Sequence, residues 1–419
     1  MYIYTMQFLY NLSVFIIEGL LQLAALFSPK IKRFVLGRKD VFRSLETAIS
    51  DTDAVLWVHC ASLGEFEQGR PLIENLRKKY PEYKLVLTFF SPSGYDVQKN
   101  YELVDVVTYL PLDSVSKTKR FLKTIHPSVA IFVKYEFWPN LLTELRKNEI
   151  PTLLVSGIFR KEQLFFQGYG AWIRSKLKSF SHFFVQDQKS FELLANIGFT
   201  NVTVSGDTRF DRVFSILKRD NTLDFIEEFI GESYVLVAGS TWKEDEEVLI
   251  DYIMTKADAK EKFIIAPHHI NADAIQHLKK VLKGKAVVYS EKEGEHLQDF
   301  QVFIVDTIGL LTKIYSRAHI AYVGGGYTKS GVHNVLEPAT FGVPVVIGPN
   351  FKKFKEAQDL VALEGCTVTQ DKESVATVLK VFREDVSSRL KSGKAAQEYI
   401  KSSLGASGKI SKYIDTLLS

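Results

Sequence analysis

The sequence predicts an α/β chain of two Rossmann-like domains, and three observations carry that expectation. Short apolar runs alternate with helix-length mixed segments between Ala54 and Ile347, as parallel sheets built from βαβ units require. The runs fall into two series, and 419 residues suit two domains with extras rather than one core. The stretch Tyr322 to Pro349 reads YVGGGYTKSGVHNVLEPATFGVPVVIGP: a strand, three glycines, a helix opening and a second strand. That is the layout of a nucleotide-sugar pocket at the carboxyl edge of such a sheet.

The chain opens on Gln7 to Phe27, QFLYNLSVFIIEGLLQLAALF, about the length that spans a bilayer. Asn11, Glu18 and Gln22 interrupt it at spacings that share one helical face. A carboxylate at mid-membrane costs roughly 2.5–3.5 kcal/mol. Two readings therefore stand: a spanning helix whose polar stripe packs on something, or an amphipathic helix lying in the interface. Lys30, Lys32, Arg33, Arg38 and Lys39 follow, and no Lys or Arg precedes the run. The positive-inside rule keeps the body in the cytoplasm, and the same cluster favours anionic headgroups. No basic n-region marks a cleaved signal peptide.

The first strand series is Ala54–Val58, Leu85–Phe89, Val104–Leu110, Val129–Val133, Thr152–Val155, Phe183–Val185 and Val202–Val204. The second is Tyr234–Val237, Phe263–Ala266, Ala286–Tyr289, Val302–Val305, Ile320–Val323 and Val343–Ile347. The expected division is an anchor over 1–29, a first domain over 30–212, a linker over 213–232, a second domain over 233–395 and a C-terminal helix over 396–419. A cleft between two such domains is a good place to hold two substrates together.

Composition agrees. Hydrophobic residues make up 46% and charged residues 24%, so the chain is globular. A net charge of +4 without a long basic run does not point to nucleic acid, and 30 Phe with 18 Tyr fit a protein that touches membrane. Cys60 and Cys366 are far apart and outside any CxxC pair, which makes a zinc site or a disulfide framework a poor expectation and a reducing compartment the simpler one.

The candidate donor residues lie in the second series. Gly324, Gly325 and Gly326 let backbone N–H groups approach a ligand, and the helix opened by His333 and Asn334 offers unpaired donors to a phosphate. Lys329 lies between them, and Glu337 is placed to take two sugar hydroxyls. Gly239, Ser240 and Thr241 end another strand, where the hydroxyls either cap the next helix or help its N–H groups hold phosphate. His268 and His269 diverge, so a metal is not expected there. Asp51-Thr52-Asp53 precedes a strand and reads as a turn.

In the first series, His59-Cys60-Ala61-Ser62-Leu63-Gly64-Glu65 follows a strand. Ser62 and Gly64 suit a turn. Glu65 either complements the helix dipole or serves as a general base beside an acceptor hydroxyl. Lys134-Tyr135-Glu136-Phe137-Trp138-Pro139-Asn140 places a second carboxylate, Glu136, at the same edge, with Trp138 read as packing. Thr88 to Tyr95 offers hydroxyls, Ser93 among them, for a phosphate or sugar.

Together these strings resemble the 3-deoxy-manno-octulosonic acid (Kdo) transferases of lipid A assembly. The resemblance spans the anchor, GRK at Gly37–Lys39, ASLGE ending at Glu65, EFWPN at Glu136–Asn140, VSGDTRFD at Val204–Asp211, GST at Gly239–Thr241, and Gly331–Pro349. It implies a GT-B type fold, CMP-Kdo as donor, and the 6'-hydroxyl of the tetraacyl lipid A precursor (lipid IVA) as acceptor. It also implies inversion, no metal or other cofactor, and a place on the cytoplasmic face of the inner membrane. On this reading Glu65 and Glu136 are catalytic. Ser62, Gly64, Ser93, Lys134 and Arg38 meet the acceptor, and the glycine, Ser240–Thr241, His268, Lys329, His333, Asn334 and Glu337 positions meet the donor. N–H groups after Gly324 and Ser240 would stabilise the leaving phosphate. The chain departs from the family at Lys134 and Tyr135 (usually Glu and Thr), His268 (usually Arg), Leu310 (usually Glu) and Gly326 (usually Ser). Lys243, Arg209 or Lys329 would then have to compensate for the lost Arg. Two rivals are a UDP-sugar transferase acting on another membrane lipid and a non-catalytic nucleotide-sugar sensor. Glu65 with Glu136 counts against the sensor.

Overall fold

The run VLWVHC at Val55–Cys60 is buried at all six positions, which only a central strand covered on both faces permits. In the computed structural model, which describes residues 2–418, this strand (β1) is an interior strand of a seven-stranded sheet. The others are β2 (Lys84–Phe89), β3 (Val106–Tyr109), β4 (Val129–Val133), β5 (Thr152–Gly157), β6 (His182–Val185) and β7 (Val202–Val204). Their order is β3-β2-β1-β4-β5-β6-β7, every pair parallel. Alternation divides the core between the two faces. Val55, Trp57 and Phe132 pack on one side, and Leu56, Val58 and Val133 on the other with Phe66 and Leu72. Each such side chain contributes about 1.5–3 kcal/mol of burial.

A second parallel sheet comprises β8 (Tyr234–Thr241), β9 (Glu261–Pro267), β10 (Ala286–Val288), β11 (Val302–Ile304), β12 (Ile320–Val323), β13 (Val345–Ile347) and β14 (Cys366–Val368). Its order is β10-β11-β9-β8-β12-β13-β14. Strand β14 was not foreseen. It is a three-residue edge strand, Cys-Thr-Val, too short and too polar to show a strand period.

The chain divides into two compact units, Met1–Arg212 with Leu404–Ser419, and Val213–Ser403. The stretch expected as a linker, 213–232, is structured. It begins within the helix Thr208–Ser215 and contains the helix Asp224–Ile230, whose Ile226, Phe229 and Ile230 enter the second unit's core. The single C-terminal helix expected over 396–419 is two helices, Val386–Ser402 and Ala406–Leu418, broken at Gly405 with φ +105°. The last helix belongs to the first unit, where Ile410 and Ile414 join the core beside Phe66. Asp211 caps it, accepting from Gly405 N (2.7 Å) and Ser407 N (2.7 Å). The second acid of the VSGDTRFD string is thus spent on a helix end.

At the other terminus, Tyr2–Ala24 is one helix with no fully buried residue. Ser28 caps the next helix, Pro29–Leu36, with proline at its first turn. Met1 and Ser419, the outermost positions of the expected anchor and C-terminal helix, lie outside the described residues. Asp51–Asp53 is a turn, with Asp53 accepting from Ser50 N at 2.8 Å.

Candidate active site

Both sheets reverse their strand order beside their first strand, between β1 and β4 and between β8 and β12. Crevices form outside the carboxyl ends of strands at such points. Glu65 follows β1 and Lys134–Glu136 follow β4; Ser240–Thr241 end β8 and Gly324–Gly326 follow β12.

In the first unit, Ser62 is the extended N-cap of the helix Leu63–Lys79. Glu65 Oε2 accepts from Ser62 N (2.7 Å) and Ser62 Oγ (2.9 Å). The carboxylate therefore holds the helix end, as a capping partner does, while staying close to two other charges. Burial raises its pKa, and the Glu136 charge raises it further; the Ser62 hydrogen bonds and then Lys134 pull the other way. Lys134 adopts φ +67° at the end of β4, a backbone strain typical of functional edges. Lys134 supplies a counter-charge to the Glu65 carboxylate.

Glu136 is 8% exposed. Its Oε2 meets His59 Nε2 at 3.1 Å and accepts from Trp138 Nε1 at 2.7 Å. Trp138, expected to pack only, also stacks on Phe90 with ring centroids 4.6 Å apart. His59, fully buried, reaches Thr88 Oγ1 through Nδ1 at 2.8 Å, and Trp57 Nε1 donates to that same oxygen at 2.9 Å. Sequence reasoning named His59 and Thr88 only as members of strings at strand ends, gave neither a role beside Glu136, and did not single out Trp57.

Gly64 is exposed at the start of the helix, and Ser93, also exposed, lies past β2 and pairs with Ser91 at 3.0 Å. Arg38 is held by the backbone around it. Its guanidinium donates to the backbone oxygens of Leu110 (3.1 Å), Phe34 (3.0 Å) and Phe90 (2.6 Å) and lies 3.7 Å over the Phe34 ring. Burial lowers its pKa to about 10. Gly37 passes so close to the Tyr109 ring that a Cβ would collide with it. Gly37 and Arg38 of the GRK string are thus held by local packing.

In the second unit, glycine serves close packing. A Cβ on Gly324 would strike Ser240 O, one on Gly326 would strike the Gly348 backbone, and one on Gly239 would strike the Tyr315 hydroxyl. Ser240, at φ +53°, lies in a register shift between β8 and β9. Asp245, fully buried, locks the loop: Oδ2 accepts from Gly325 N (2.8 Å) and Trp242 N (2.9 Å), and Oδ1 from Tyr322 OH (2.8 Å). Gly324 N donates to Gly239 O at 2.9 Å. The Gly325 amide, one of those anticipated as phosphate donors, is therefore committed inside the protein, as is that of Gly324. Thr241 Oγ1 donates to Glu246 at 3.0 Å.

Trp242, His268 and His333 form a ring stack, His268 lying 4.2 Å from His333 and 5.1 Å from Trp242 between centroids. Trp242 Nε1 donates to His333 Nε2 at 2.7 Å. Burial, then His268 and His269, lower the His333 pKa to about 4. His333 is therefore neutral at pH 7, and with Nε2 accepting, its proton sits on Nδ1. Asn334 Nδ2 and Thr312 Oγ1 donate to the two oxygens of Glu337 at 3.0 and 2.7 Å. Lys329 is exposed, as are Lys243 and His268. Arg209, in the first unit, pairs with Asp207 at 2.8 Å.

A family model described as 3-deoxy-D-manno-octulosonic-acid transferase (kdotransferase) matches residues 32–212. A 3-deoxy-D-manno-octulosonic acid transferase of Aquifex aeolicus is 29% identical over 323 residues, covering 76% of this chain and 82% of that protein. The one of Haemophilus influenzae is 25% identical over 364 residues, 84% of each chain. Among solved structures, a putative UDP-N-acetylglucosamine 2-epimerase from Listeria monocytogenes shares the fold, with a TM-score of 0.59 and 12% identity over 87% of this chain and 96% of that one. The two parallel sheets are of the GT-B type, and the chain is similar along most of its length to 3-deoxy-D-manno-octulosonic acid (Kdo) transferases.

Proposed function

We propose that this chain is an inverting glycosyltransferase that moves Kdo from CMP-Kdo to the 6'-hydroxyl of the tetraacyl lipid A precursor, lipid IVA, in lipopolysaccharide core synthesis at the cytoplasmic face of the inner membrane. One observation carries the catalytic assignment: at the β1/β4 switch point, Glu65 is held by Ser62 with a raised pKa, in the electrostatic company of Glu136 and Lys134.

In this mechanism the acceptor hydroxyl oxygen attacks the anomeric carbon while Glu65 takes its proton. The new carbon–oxygen bond forms as the bond to phosphate breaks, and CMP leaves with the electron pair. Glu136, fixed by His59 and Trp138, orients the acceptor, and Lys134, Ser62, Gly64 and Ser93 border it. Arg38 contributes by holding the chain beneath the acceptor side. Gly239, Ser240 and Thr241 with Gly324, Gly325 and Gly326 shape the donor edge. His333, neutral, donates through Nδ1, His268 and Lys329 face the phosphate, and Asn334 and Glu337 take sugar hydroxyls. Negative charge developing on the leaving phosphate is stabilised by such oriented donors.

A thermal-shift comparison of CMP with UDP tests the donor class. CMP is expected to raise Tm and UDP to have little effect; stabilisation by UDP alone sinks the CMP-Kdo reading and favours a UDP-sugar transferase on another lipid.

A further inference from the structure

Glu136 is followed within four residues by the start of a helix, so at most roughly 14 Å of chain separates the carboxylate's backbone from Asn140. Trp138 Nε1 donates back to Glu136, and Pro139 opens the helix Pro139–Lys147 with a locked φ. This strap has little slack, and whatever holds the start of that helix bears on Glu136. Trp138, at the N-cap position, makes no side-chain cap bond. Asp113 takes the helix's first amides instead: Oδ2 accepts from Asn140 N (2.9 Å) and Oδ1 from Leu141 N (2.9 Å).

Asn140 and Asp113 are in turn gripped by the N-terminal helix Tyr2–Ala24. Gln7 Nε2 donates to Asn140 Oδ1 (2.8 Å), and Asn140 Nδ2 donates to Asn11 Oδ1 (3.0 Å) and Asp113 O (2.6 Å). Gln7 Nε2 also reaches Asn11 Oδ1 (3.2 Å), so three side-chain amides close a ring. Gln7 Oε1 accepts from Lys176 Nζ (2.6 Å), and Tyr10 OH donates to Asp113 Oδ2 (2.8 Å). Asn140 and Asp113 are only 4% and 5% exposed. Two of the three side-chain bonds of Asn140 come from the N-terminal helix, and without them buried polar atoms lose their partners, which is costly. That helix buries none of its own 23 residues fully. Its part in the core is small, while Gln7, Tyr10 and Asn11 are all directed at the segment that carries Glu136.

We propose that the N-terminal helix belongs to the catalytic apparatus: Gln7 and Asn11, acting through Asn140, are positioning residues that set where Glu136 stands. Active-site groups are held to working precision by such supporting hydrogen bonds. The role in turnover rests on the reading of Glu136 as the carboxylate that orients the acceptor; the mechanical coupling does not.

Two experiments on the full chain in detergent solution test this. In Kdo transfer from CMP-Kdo to the tetraacyl lipid A precursor, Asn11→Leu is expected to lower kcat roughly 10–10²-fold, as a misplacement of about 1 Å remote from the chemistry can. KM for CMP-Kdo and Tm should hold. Asn11→Asp keeps an acceptor oxygen toward Asn140 and Gln7 and should recover most of the loss. Glu18→Ala removes a bond of the same helix to Lys117, away from Asn140, and should leave kcat unchanged. Wild-type kcat in Asn11→Leu, or a fall in kcat matched by a fall in Tm, overturns the proposal. The second experiment needs no turnover. In fluorine NMR of protein grown with 5-fluorotryptophan, the Trp138 line is identified by its loss in Trp138→Phe. Asn11→Leu is expected to shift or broaden that line and leave those of Trp57 and Trp242 in place. An unmoved Trp138 line contradicts the coupling. Absence of Kdo transfer by the wild type, with the Trp138 line responding, would sink the proposed reaction and leave the coupling standing.

Discussion

His59 Nε2 lies 3.1 Å from Glu136 Oε2, and the far side of the ring is held by Thr88. Trp57 Nε1–H donates to Thr88 Oγ1, and His59 Nδ1 meets that hydroxyl at 2.8 Å and the Thr88 carbonyl oxygen at 3.2 Å. A carboxylate oxygen accepts, so the ring presents Nε2–H to Glu136. A buried chain of four side chains thereby fixes the orientation of a candidate catalytic carboxylate.

His59→Phe removes the donor while keeping an aromatic ring in the core. Glu136 keeps Trp138 but loses its orientation, so kcat for Kdo transfer is expected to fall roughly 10–10²-fold, less than the roughly 10²–10⁴ lost with an acid–base group itself. KM for the donor should hold, and His59→Gln should recover part of the loss. A purely structural role predicts instead that Tm falls and kcat per folded molecule does not.

Glu65→Gln is expected to cost about 10²–10⁴ in turnover with donor binding retained in a thermal shift. Wild-type turnover in this variant would remove Glu65 as the base.

The charges around Glu65 predict opposite pH effects. Glu136 raises its pKa and Lys134 lowers it. On residual activity, Glu136→Gln should move the acidic limb of kcat/KM to lower pH, and Lys134→Met should move it to higher pH. Shifts of the same sign in both variants would contradict the cluster.

Gly324→Ala drives a methyl group into Ser240 O, which is backbone and cannot rotate away. A loss of roughly 1–3 kcal/mol or more follows from overpacking, read as a clear fall in Tm. Gly309→Ala is a contrasting control. There a Cβ meets open space, and only its φ of +91° opposes the change.

His333 gives a stability–pH prediction. Its folded pKa of about 4 lies below the unfolded value of about 6.5. The unfolded state binds more protons between those values, so this contribution is complete above pH 6.5 and is lost as pH falls toward 4. Urea midpoints measured across that window should fall more steeply for the wild type than for His333→Gln. Parallel curves would show that His333 titrates normally.

Much of the fold was legible because parallel strands buried on both faces are continuous apolar runs: Val129–Val133 and Ile320–Val323 were placed to the residue. Cys366–Val368 was not, because an edge strand of three residues has no period to read. The two carboxylates were legible as acids just beyond strand ends. His59 was read as following a strand that ends at Val58; the strand runs on to Cys60, and the role of His59 shows only once Thr88 and Glu136 are seen around it. Arg38 illustrates the reverse. A cation in a basic segment suggests a ligand contact, but three backbone carbonyls take it up. The polar stripe of the N-terminal helix left two membrane readings open, and its partners Asn140, Asp113 and Lys117 lie too far along the sequence to be anticipated.

The central claim is tested by incubating the full-length protein with CMP-Kdo and the tetraacyl lipid A precursor and weighing the lipid by mass spectrometry, with Glu65→Gln alongside. A gain of one or more Kdo units in the wild type and little or none in the variant is the predicted result. No gain in the wild type, while a known Kdo transferase is active in the same mixture, would contradict the proposed reaction and leave only the fold and the similarity to Kdo transferases.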